Sequence, residues 1–336
     1  VTPGDHAFAS LLGAAGRAGD ARSAEACVAE MARVRLAPGP VVRAAVLNAV
    51  DTARGLAAVR AQWQFLEGAA APSSEAPHAA RITAAARLGD WGAAEAWWGE
   101  MLGAGVRPGR GAFGAVISAA GKGGDAVRAR RWFGELLAAG LRPDRRDFNA
   151  LISAEAKHGG LERAEALRGQ MEAAGIEPSH ITFTALLDAA AKARDVGALR
   201  RLRGEMLQRG VAAEQVAFNV LVGGAAAAAA GDARGEGGLA RDWLREMVQA
   251  RLPPDAVTFN ALIDACAAGG DVARAGGWLA RMRAAAVAPE ACTFGSLITG
   301  CARLGDARGA AAWFGRLERS GAEATAIQYN QLLHAY

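Results

Sequence analysis

Apolar residues recur along the chain in short helical patterns that end at glycine and aspartate. In the stretch TFNALIDACAAGGD, large apolar side chains stand three and four positions apart, at Phe259, Leu262 and Ile263, which is the spacing of one helical face. The stretch ends at Gly270-Asp271, where glycine can adopt the left-handed conformation that ends a helix and aspartate can cap the next one. The pattern predicts an amphipathic helix, a tight turn and a second helix.

The same pattern returns along the chain with a spacing of 35 residues. A fixed period of this length is typical of proteins built from stacked repeats. The chain divides into nine repeats and the start of a tenth, and the seventh repeat is six residues longer than the others. The predicted repeats are 5–39, 40–74, 75–109, 110–144, 145–179, 180–214, 215–255, 256–290, 291–325 and 326–336.

Each repeat predicts two antiparallel helices. The first carries an aromatic residue at position 4 and large aliphatic residues at positions 7 and 8. The second carries a small apolar residue at position 20, an aromatic at 23 or 24 and methionine or leucine at 27, as at Ala129, Trp132 and Leu136. Neither helix can bury its apolar face alone, so neighbouring repeats have to stack. The sequence therefore predicts an all-α fold, a right-handed superhelical α-solenoid of helix-turn-helix repeats.

Three repeats depart from this pattern. The second and third have Arg43 and His78 in place of the aromatic at position 4, although Trp63 and Trp98 keep the second-helix pattern. The extra residues of the seventh repeat lie within 223–238, where the turn between helices belongs. We expect this insertion to form a surface loop or an extended helix end.

Composition restricts the chemistry of the chain. Lys and Arg number 38 against 34 Asp and Glu, a net charge of +4 that is compatible with an anionic partner. The cysteines form no CxxC pair, so neither a zinc site nor a disulfide framework is indicated, and we expect small buried thiols in a reducing compartment. They are Cys27, Cys266, Cys292 and Cys301.

Sequence signals for targeting, membrane insertion and catalysis are missing. There is no apolar run long enough to span a bilayer. The chain opens at Val1 without a signal peptide, so any targeting segment is expected to have been removed or to lie outside this sequence. The sequence contains no deaminase-like HxE with CxxC, no carboxylate cluster typical of nucleases and no Ser/His/Asp grouping. We expect no enzyme activity, no metal and no cofactor.

Basic residues recur at position 13, near the end of the first helix. In stacked repeats these cations would follow one edge of a concave face and could contact a phosphate backbone. The alternative is that each cation simply interacts with the negative end of its helix dipole. The predicted phosphate-binding residues are Arg17, Arg87, Lys122, Lys157, Lys192 and Arg303.

Tryptophan recurs at positions 23 and 24 of the second helix. Aromatic side chains can stack on the bases of single-stranded nucleic acids, but this placement favours packing in the core. The residues concerned are Trp63, Trp97, Trp98, Trp132, Trp243, Trp278 and Trp313.

These features together resemble the pentatricopeptide repeat family of P-type, 35-residue repeats. The family consensus runs close to VTYNALI, a Gly-Asp-like turn, AxxLFxxM and GxxPD, and this chain has VTFNALI at 257–263 and GLRPD at 140–144. The tetratricopeptide repeat, with about 34 residues, fits less well because of the terminal Pro-Asp. The resemblance covers essentially the whole chain and implies binding of single-stranded RNA in mitochondria or chloroplasts.

The resemblance further implies that each repeat reads one base through positions 5 and 35, with position 2 packing around the base. Base recognition requires donors and acceptors at the exposed Watson–Crick edge. By analogy, Asn149 with Ser179 favours cytosine, and Asn219 with Asp255 favours uracil. The implied base-reading residues are Asn149, Ser179, Thr184, Glu214, Asn219, Asp255, Asn260, Glu290 and Asn330, and the implied base-packing residues are Ile181, Val216, Val257 and Ile327.

The two remaining pairs and several repeats depart from the family pattern. Thr184 with Glu214 is close to a guanine-reading pair but has the longer acid, and Asn260 with Glu290 suggests a pyrimidine. Other repeats have no hydrogen-bonding side chain at position 5, so they are expected not to read bases in the usual way. These positions are Ala9, Ala44, Ala79, Gly114 and Gly295.

We expect a protein that acts by occupying a transcript segment, in RNA processing, stability or translation. The alternative is a structural repeat subunit of an organellar ribosome or another assembly, which would bind ribosomal RNA or protein without reading bases.

Overall fold

A computed structural model of the protein describes residues 75–229, 237–321 and 323–336, together with ten isolated positions between residues 8 and 33. All regular structure in these residues is α-helical. The chain forms two compact units, 1–154 and 155–336. The repeats predicted over 5–74 lie outside the described residues apart from the isolated positions, among which Phe8 and Leu12 are buried.

The helices alternate between the first and second helix of each repeat. Every odd-numbered helix begins at the first residue of a repeat as divided from the sequence. The first unit contains α1 Glu75–Arg87, α2 Trp91–Gly103, α3 Arg110–Gly123, α4 Ala126–Ala138 and the beginning of α5 Arg145–Lys157. The second unit contains the end of α5, then α6 Leu161–Ala173, α7 His180–Lys192, α8 Val196–Gln208, α9 Gln215–Ala229, α10 Gly237–Gln249, α11 Ala256–Ala268, α12 Val272–Ala284, α13 Ala291–Arg303, α14 Ala307–Arg319 and α15 Ala326–Ala335.

The Gly-Asp pairs form the predicted turns. Gly124 has φ +78°, and the Asp125 carboxylate accepts a hydrogen bond of 2.9 Å from the backbone N–H of Arg128. That bond and the nearby guanidinium lower the pKa of Asp125. Glycine with positive φ followed by a capping aspartate also occurs at Gly89-Asp90, Gly270-Asp271 and Gly305-Asp306. The prediction is confirmed for these turns, whereas Gly19-Asp20 lies outside the described residues.

The apolar positions of the repeat form the core of each unit. Positions 4, 7 and 8 of the first helices are buried in repeats 3 to 9, as at Phe183, Leu186 and Leu187. Position 27 of the second helix is fully buried in every described repeat, at Met101, Leu136, Met171, Met206, Met247, Met282 and Leu317. The predicted all-α repeat fold is confirmed.

The tryptophans belong to this core rather than to an exposed stacking surface. Trp98 packs against Phe113 and Trp132, with ring centroids 4.8 and 4.6 Å apart. Trp313 is half-buried, and Trp63 lies outside the described residues. The buried members are Trp97, Trp98, Trp132, Trp243 and Trp278.

Small residues allow consecutive first helices to approach closely. A Cβ atom at Gly121 in α3 would lie 2.5 Å from the carbonyl oxygen of Ala150 in α5, closer than van der Waals contact permits. Gly300 in α13 faces Ala267 in α11 in the same way, at 2.9 Å. At these contacts, glycine and alanine are needed because the helix backbones lie too close together for larger side chains.

Three sequence-based expectations need correction or completion. His78, which replaces the aromatic of repeat 3, is buried, and Arg81 on the same helix is also buried and pairs with Glu100 at 2.7 Å. Tyr329 is exposed, since α15 is the last described helix and its face is only partly covered. Cys292 is exposed rather than a buried thiol.

The insertion of repeat 7 extends a helix. Helix α9 has 15 residues, against 13 in most of the other helices, so the polyalanine stretch adds to its C-terminal end. Residues 230–236 lie outside the described part of the chain. None of the helices that the structure describes has the length and hydropathy needed to cross a membrane.

Candidate nucleic-acid interface

Repeat 7 brings its predicted base-reading pair into direct contact. Asn219, at position 5 of α9, donates from Nδ2 to both carboxylate oxygens of Asp255, each at 3.2 Å. Asp255 precedes α11 and caps it by accepting a hydrogen bond from the backbone N–H of Thr258 at 2.9 Å. The hydroxyl of Thr258 in turn donates to the Asn219 Oδ1. The two side chains are therefore held in one orientation by the start of the next repeat.

This network keeps Asp255 ionised. Burial by itself would raise the pKa of Asp255, but hydrogen bonds from Thr258, Asn219 and Gln215 outweigh that effect and lower the pKa below its ordinary value. An ionised carboxylate only accepts hydrogen bonds. The pair thus combines a fixed acceptor with an amide that can offer both donor and acceptor.

Repeat 8 places its pair close together but joins it through neighbours. Asn260 accepts a hydrogen bond of 2.7 Å at Oδ1 from the hydroxyl of Thr293. Its Nδ2 lies 3.4 Å from the sulfur of Cys292, which lies 3.8 Å from the carboxylate of Glu290. The amide and the acid of this repeat are thus connected through the Cys292 sulfur, which contacts both.

Repeat 6 does not join its two predicted residues. The hydroxyl of Thr184 donates to the backbone carbonyl of His180 at 2.7 Å, within its own helix. The carboxylate of Glu214 lies 3.5 Å from Nε2 of the same histidine. Both residues meet at His180, a contact that the repeat positions alone did not indicate.

The remaining predicted base-reading residues are Asn149, Ser179 and Asn330. Asn149 belongs to the first unit and is buried in α5. Ser179 belongs to the second unit and precedes α7, where its backbone N–H donates to the Thr182 hydroxyl at 3.1 Å. Asn330 is exposed on α15.

Apolar side chains at position 2 lie exposed beside these polar groups. Ile181, Val216, Val257 and Ile327 are between 51% and 62% exposed, which is unusual for large aliphatic residues at the start of a helix whose other apolar residues are buried. Position 2 is occupied differently in two other repeats, by exposed Arg146 and exposed Cys292. Neither residue was predicted as a base-packing residue, although each stands two residues before the position-4 aromatic of its repeat.

The basic residues at position 13 are exposed, and two of them contact the preceding first helix. Lys192 donates to the carbonyl of Ala156 at 3.4 Å and pairs with Asp188 at 2.6 Å. Arg303 donates to the carbonyl of Ala268 at 3.5 Å. Both carbonyls lie near the C-terminal end of the preceding first helix, α5 or α11, so these bonds differ from an interaction of each cation with its own helix end. Arg87, Lys122 and Lys157 are exposed as well, and Arg17 lies outside the described residues.

Where position 5 is glycine, a polar side chain of the following repeat lies against it. A Cβ atom at Gly114 would lie 3.2 Å from Oδ1 of Asp147, which is position 3 of repeat 5. A Cβ atom at Gly295 would lie 3.2 Å from Nε2 of Gln328, position 3 of repeat 10, and from Oε1 of Gln331. In repeats 7 and 8, which have asparagine at position 5, the position-3 residue of the next repeat that contacts it is Thr258 or Thr293. Sequence reasoning missed this pairing because the two positions are more than thirty residues apart.

Among the described residues, no group of three or more His, Cys, Asp or Glu side chains could hold a metal ion. All four cysteines are free thiols. Burial raises the pKa of the Cys266 and Cys301 thiols, which makes both poor nucleophiles at neutral pH.

Sequence comparisons identify the type of repeat. A sequence profile described as the PPR repeat family matches residues 148–192 and 254–303, and one described as the PPR repeat matches 181–211 and 292–321. No curated protein sequence matches the chain.

Solved structures match the fold over the whole chain. The crystal structure of the pentatricopeptide repeat protein PPR10 in complex with an 18-nt psaJ RNA element matches with a TM-score of 0.82 and 21% identity, covering 100% of this chain and 48% of PPR10. A cysteine-to-serine variant of PPR10 with the same RNA element matches equally well, again with a TM-score of 0.82, 21% identity, and 100% and 48% coverage. The chain thus spans about half the length of the PPR10 chain. The nuclear proteinaceous RNase P 2 from A. thaliana matches with a TM-score of 0.47 and 14% identity, covering 57% of this chain and 41% of its own.

The α-helical fold and the buried positions that recur in each repeat are typical of α-solenoid proteins, which are built from stacked pairs of antiparallel helices. Within that class, the profile matches identify pentatricopeptide repeats over residues 148–211 and 254–321, which share the 35-residue period of the chain.

Proposed function

We propose that this protein binds single-stranded RNA, with individual repeats contacting individual bases, and acts by occupying a segment of a transcript. The observation that carries the proposal is the Asn219–Asp255 pair, whose polar atoms are fixed by Thr258 and lie beside exposed Val216 and Val257. Sequence-specific proteins recognise unpaired RNA through hydrogen bonds to the Watson–Crick edge and through packing against the base face. The arrangement offers both.

The likeness to PPR10 supports the same proposal, since that protein was crystallised with an RNA element. Occupancy of a transcript would protect, remodel or expose RNA in processing, stability or translation, without chemistry by this chain. We place this action in a mitochondrion or chloroplast, the organelles in which the family typically works.

Salt dependence tests the contribution of the phosphate contacts. The unmodified chain is mixed with a random single-stranded RNA pool, and binding is measured over a series of salt concentrations. Substituting Lys122, Lys157 and Lys192 together by Ala is expected to lower affinity and to reduce the salt slope by about 2, since each contact to a single strand contributes about 0.7. A matched control replaces three exposed arginines of the second helices, Arg200, Arg283 and Arg319, and is expected to change the slope less.

Base preference tests the reading itself. Sequencing the bound RNA is expected to show a uracil preference at one position that changes in the Asn219→Thr variant and persists in the Gln208→Ala control, where the side chain is exposed at the end of α8. An unchanged preference in Asn219→Thr would show that this asparagine does not read a base.

A second candidate is a structural subunit of an organellar ribosome or another ribonucleoprotein. One feature of the second helices favours it, because position 28 carries exposed large apolar residues that suit a protein partner: Leu102, Leu137, Leu207 and Val248. Under this alternative, the chain would co-purify with a stable assembly from the organelle, and replacing Leu137 and Leu207 by serine would release it without changing its affinity for the random RNA pool.

A further inference from the structure

An open cavity lies over two glycines of repeat 4, in the first unit. Its volume is about 470 Å³, within the range of small-molecule pockets, about 300–1,000 Å³. Gly111 and Gly114 stand at positions 2 and 5, where repeats 6 to 8 carry the large apolar and polar side chains described above. The absence of both side chains leaves room at the place where those repeats present their candidate base-reading groups.

The cavity is lined by a buried acid from the following repeat. Asp147 is 2% exposed, and its Oδ2 accepts hydrogen bonds from Arg110 at 2.7 Å and from the backbone N–H of Asp144 at 2.9 Å. Its Oδ1 faces Gly114 and accepts no hydrogen bond from the described residues. Burial raises the pKa of Asp147, and the neighbouring charge of Asp144 adds to that rise. Because Asp147 lines the cavity and no described residue donates to its Oδ1, this oxygen can accept a hydrogen bond from a bound ligand.

Repeat 9 also has glycine at position 5 and polar side chains of the next repeat beside it. Its position 5 is Gly295, and the polar atoms that lie where a side chain would begin belong to Gln328 and Gln331 of repeat 10. Oε1 of Gln331 is buried without a hydrogen-bond partner among the described residues. Both described glycines at position 5 therefore expose a polar group from the next repeat with an unfilled hydrogen-bonding capacity.

We propose that repeat 4 takes one RNA base into this cavity, and that Asp147 contacts the base in place of the missing position-5 side chain. The proposal rests on the RNA-binding function proposed above. It reverses the expectation that repeat 4, with Gly114, does not read a base. It also makes position 3 of the following repeat a specificity-determining position wherever position 5 is glycine.

The chemistry of the cavity favours guanine. Asp144 and Asp147 both line it, and ionised carboxylates accept hydrogen bonds but cannot donate them. Guanine presents two adjacent donors on its Watson–Crick edge, the N1 hydrogen and the N2 amino group, whereas each of the other bases presents one donor beside an acceptor. Arg146 also lines the cavity, and a guanidinium is a good partner for the O6 of guanine.

The test compares base preferences of the full chain and of single variants, each selected against a random single-stranded RNA pool. The unmodified chain is expected to enrich guanine next to the cytosine assigned to repeat 5. In Asp147→Asn this enrichment is expected to fall at least fivefold, since a good hydrogen-bonded contact is worth about that factor or more in base discrimination. The matched control is Asp125→Asn, which removes an acid from the same repeat at a helix cap outside the cavity, and it should leave the preference unchanged.

A second variant keeps the proposal testable if Asp147→Asn folds poorly. Gly114→Ala places a methyl group 3.2 Å from Asp147 Oδ1 and favours the helix, so it is expected to abolish the same guanine preference while the thermal unfolding midpoint is maintained. If both variants retain the guanine preference at every selected position, the inference is wrong and RNA binding stands. If the unmodified chain binds no RNA, the inference and the proposed function both fail.

Discussion

Replacing Asp255 by Ala measures how strongly the candidate base-reading pair is fixed by the fold. The substitution removes the cap of α11, a bond of 2.9 Å to the backbone N–H of Thr258, and both contacts of 3.2 Å from Asn219. Loss of an aspartate cap costs about 1 kcal/mol. The contact with Asn219 is half-buried and adds about 0.5–1.5 kcal/mol. We expect Asp255→Ala to lower the free energy of unfolding by about 1.5–2.5 kcal/mol in total.

A matched cap separates the two contributions. Asp271 caps α12 with a bond of 2.9 Å to the backbone N–H of Arg274 and pairs only within its own helix turn. Asp271→Ala is therefore expected to cost about 1 kcal/mol. Urea unfolding followed by far-UV circular dichroism compares the two variants, with Asp255→Asn as the substitution that keeps a capping side chain. Equal losses in Asp255→Ala and Asp271→Ala would refute the claim that Asn219 is energetically coupled to the next repeat.

Three further predictions concern packing and ionisation. Gly121→Ala should lower the free energy of unfolding by about 1–3 kcal/mol through overpacking, because the new Cβ atom would lie 2.5 Å from the Ala150 carbonyl oxygen. Gly134→Ala in α4 is the control: its Cβ atom would have no neighbouring atom within 4 Å, so this variant should raise the urea midpoint. The pKa of Asp147 is raised in the folded state. The unfolding free energy of wild type should therefore fall relative to that of Asp147→Asn as pH increases from the ordinary aspartate pKa through the raised pKa. A difference between the two proteins that does not change with pH would contradict this. The pKa of Asp255 is lowered in the folded state. The ionised carboxylate should therefore stabilise the fold fully above the ordinary aspartate pKa, and this contribution should disappear as pH falls through the lowered pKa. The difference in unfolding free energy between wild type and Asp255→Asn should shrink on acidification.

The sequence predicts most of the fold because the determinants are local and repeated. Position 27 and positions 7 and 8 are buried in repeats 3 to 9, and one helical period identifies them. The turns are equally local, since a glycine such as Gly124 and the aspartate after it need only each other and the next helix turn.

The candidate site was predicted less completely because it depends on contacts between repeats. The repeat positions pair Asn219 with Asp255, yet the contact of Thr258 with Asn219 appears only when α9 and α11 pack side by side. Arg81 is buried on α1 and pairs with Glu100 on α2, and Oδ1 of Asp147 lies where a side chain of Gly114 would begin. Each of these relations joins residues that no short pattern connects.

The central claim is that the repeats of this chain read single-stranded RNA. The most direct measurement is selection of a random RNA pool by the purified full chain, followed by sequencing of the bound fraction at several salt concentrations. The account predicts salt-sensitive binding and an enriched segment with cytosine and uracil at the spacing of repeats 5 and 7, with the uracil preference altered by Asn219→Thr. Binding without any enriched segment, or no salt-sensitive binding at all, would contradict it.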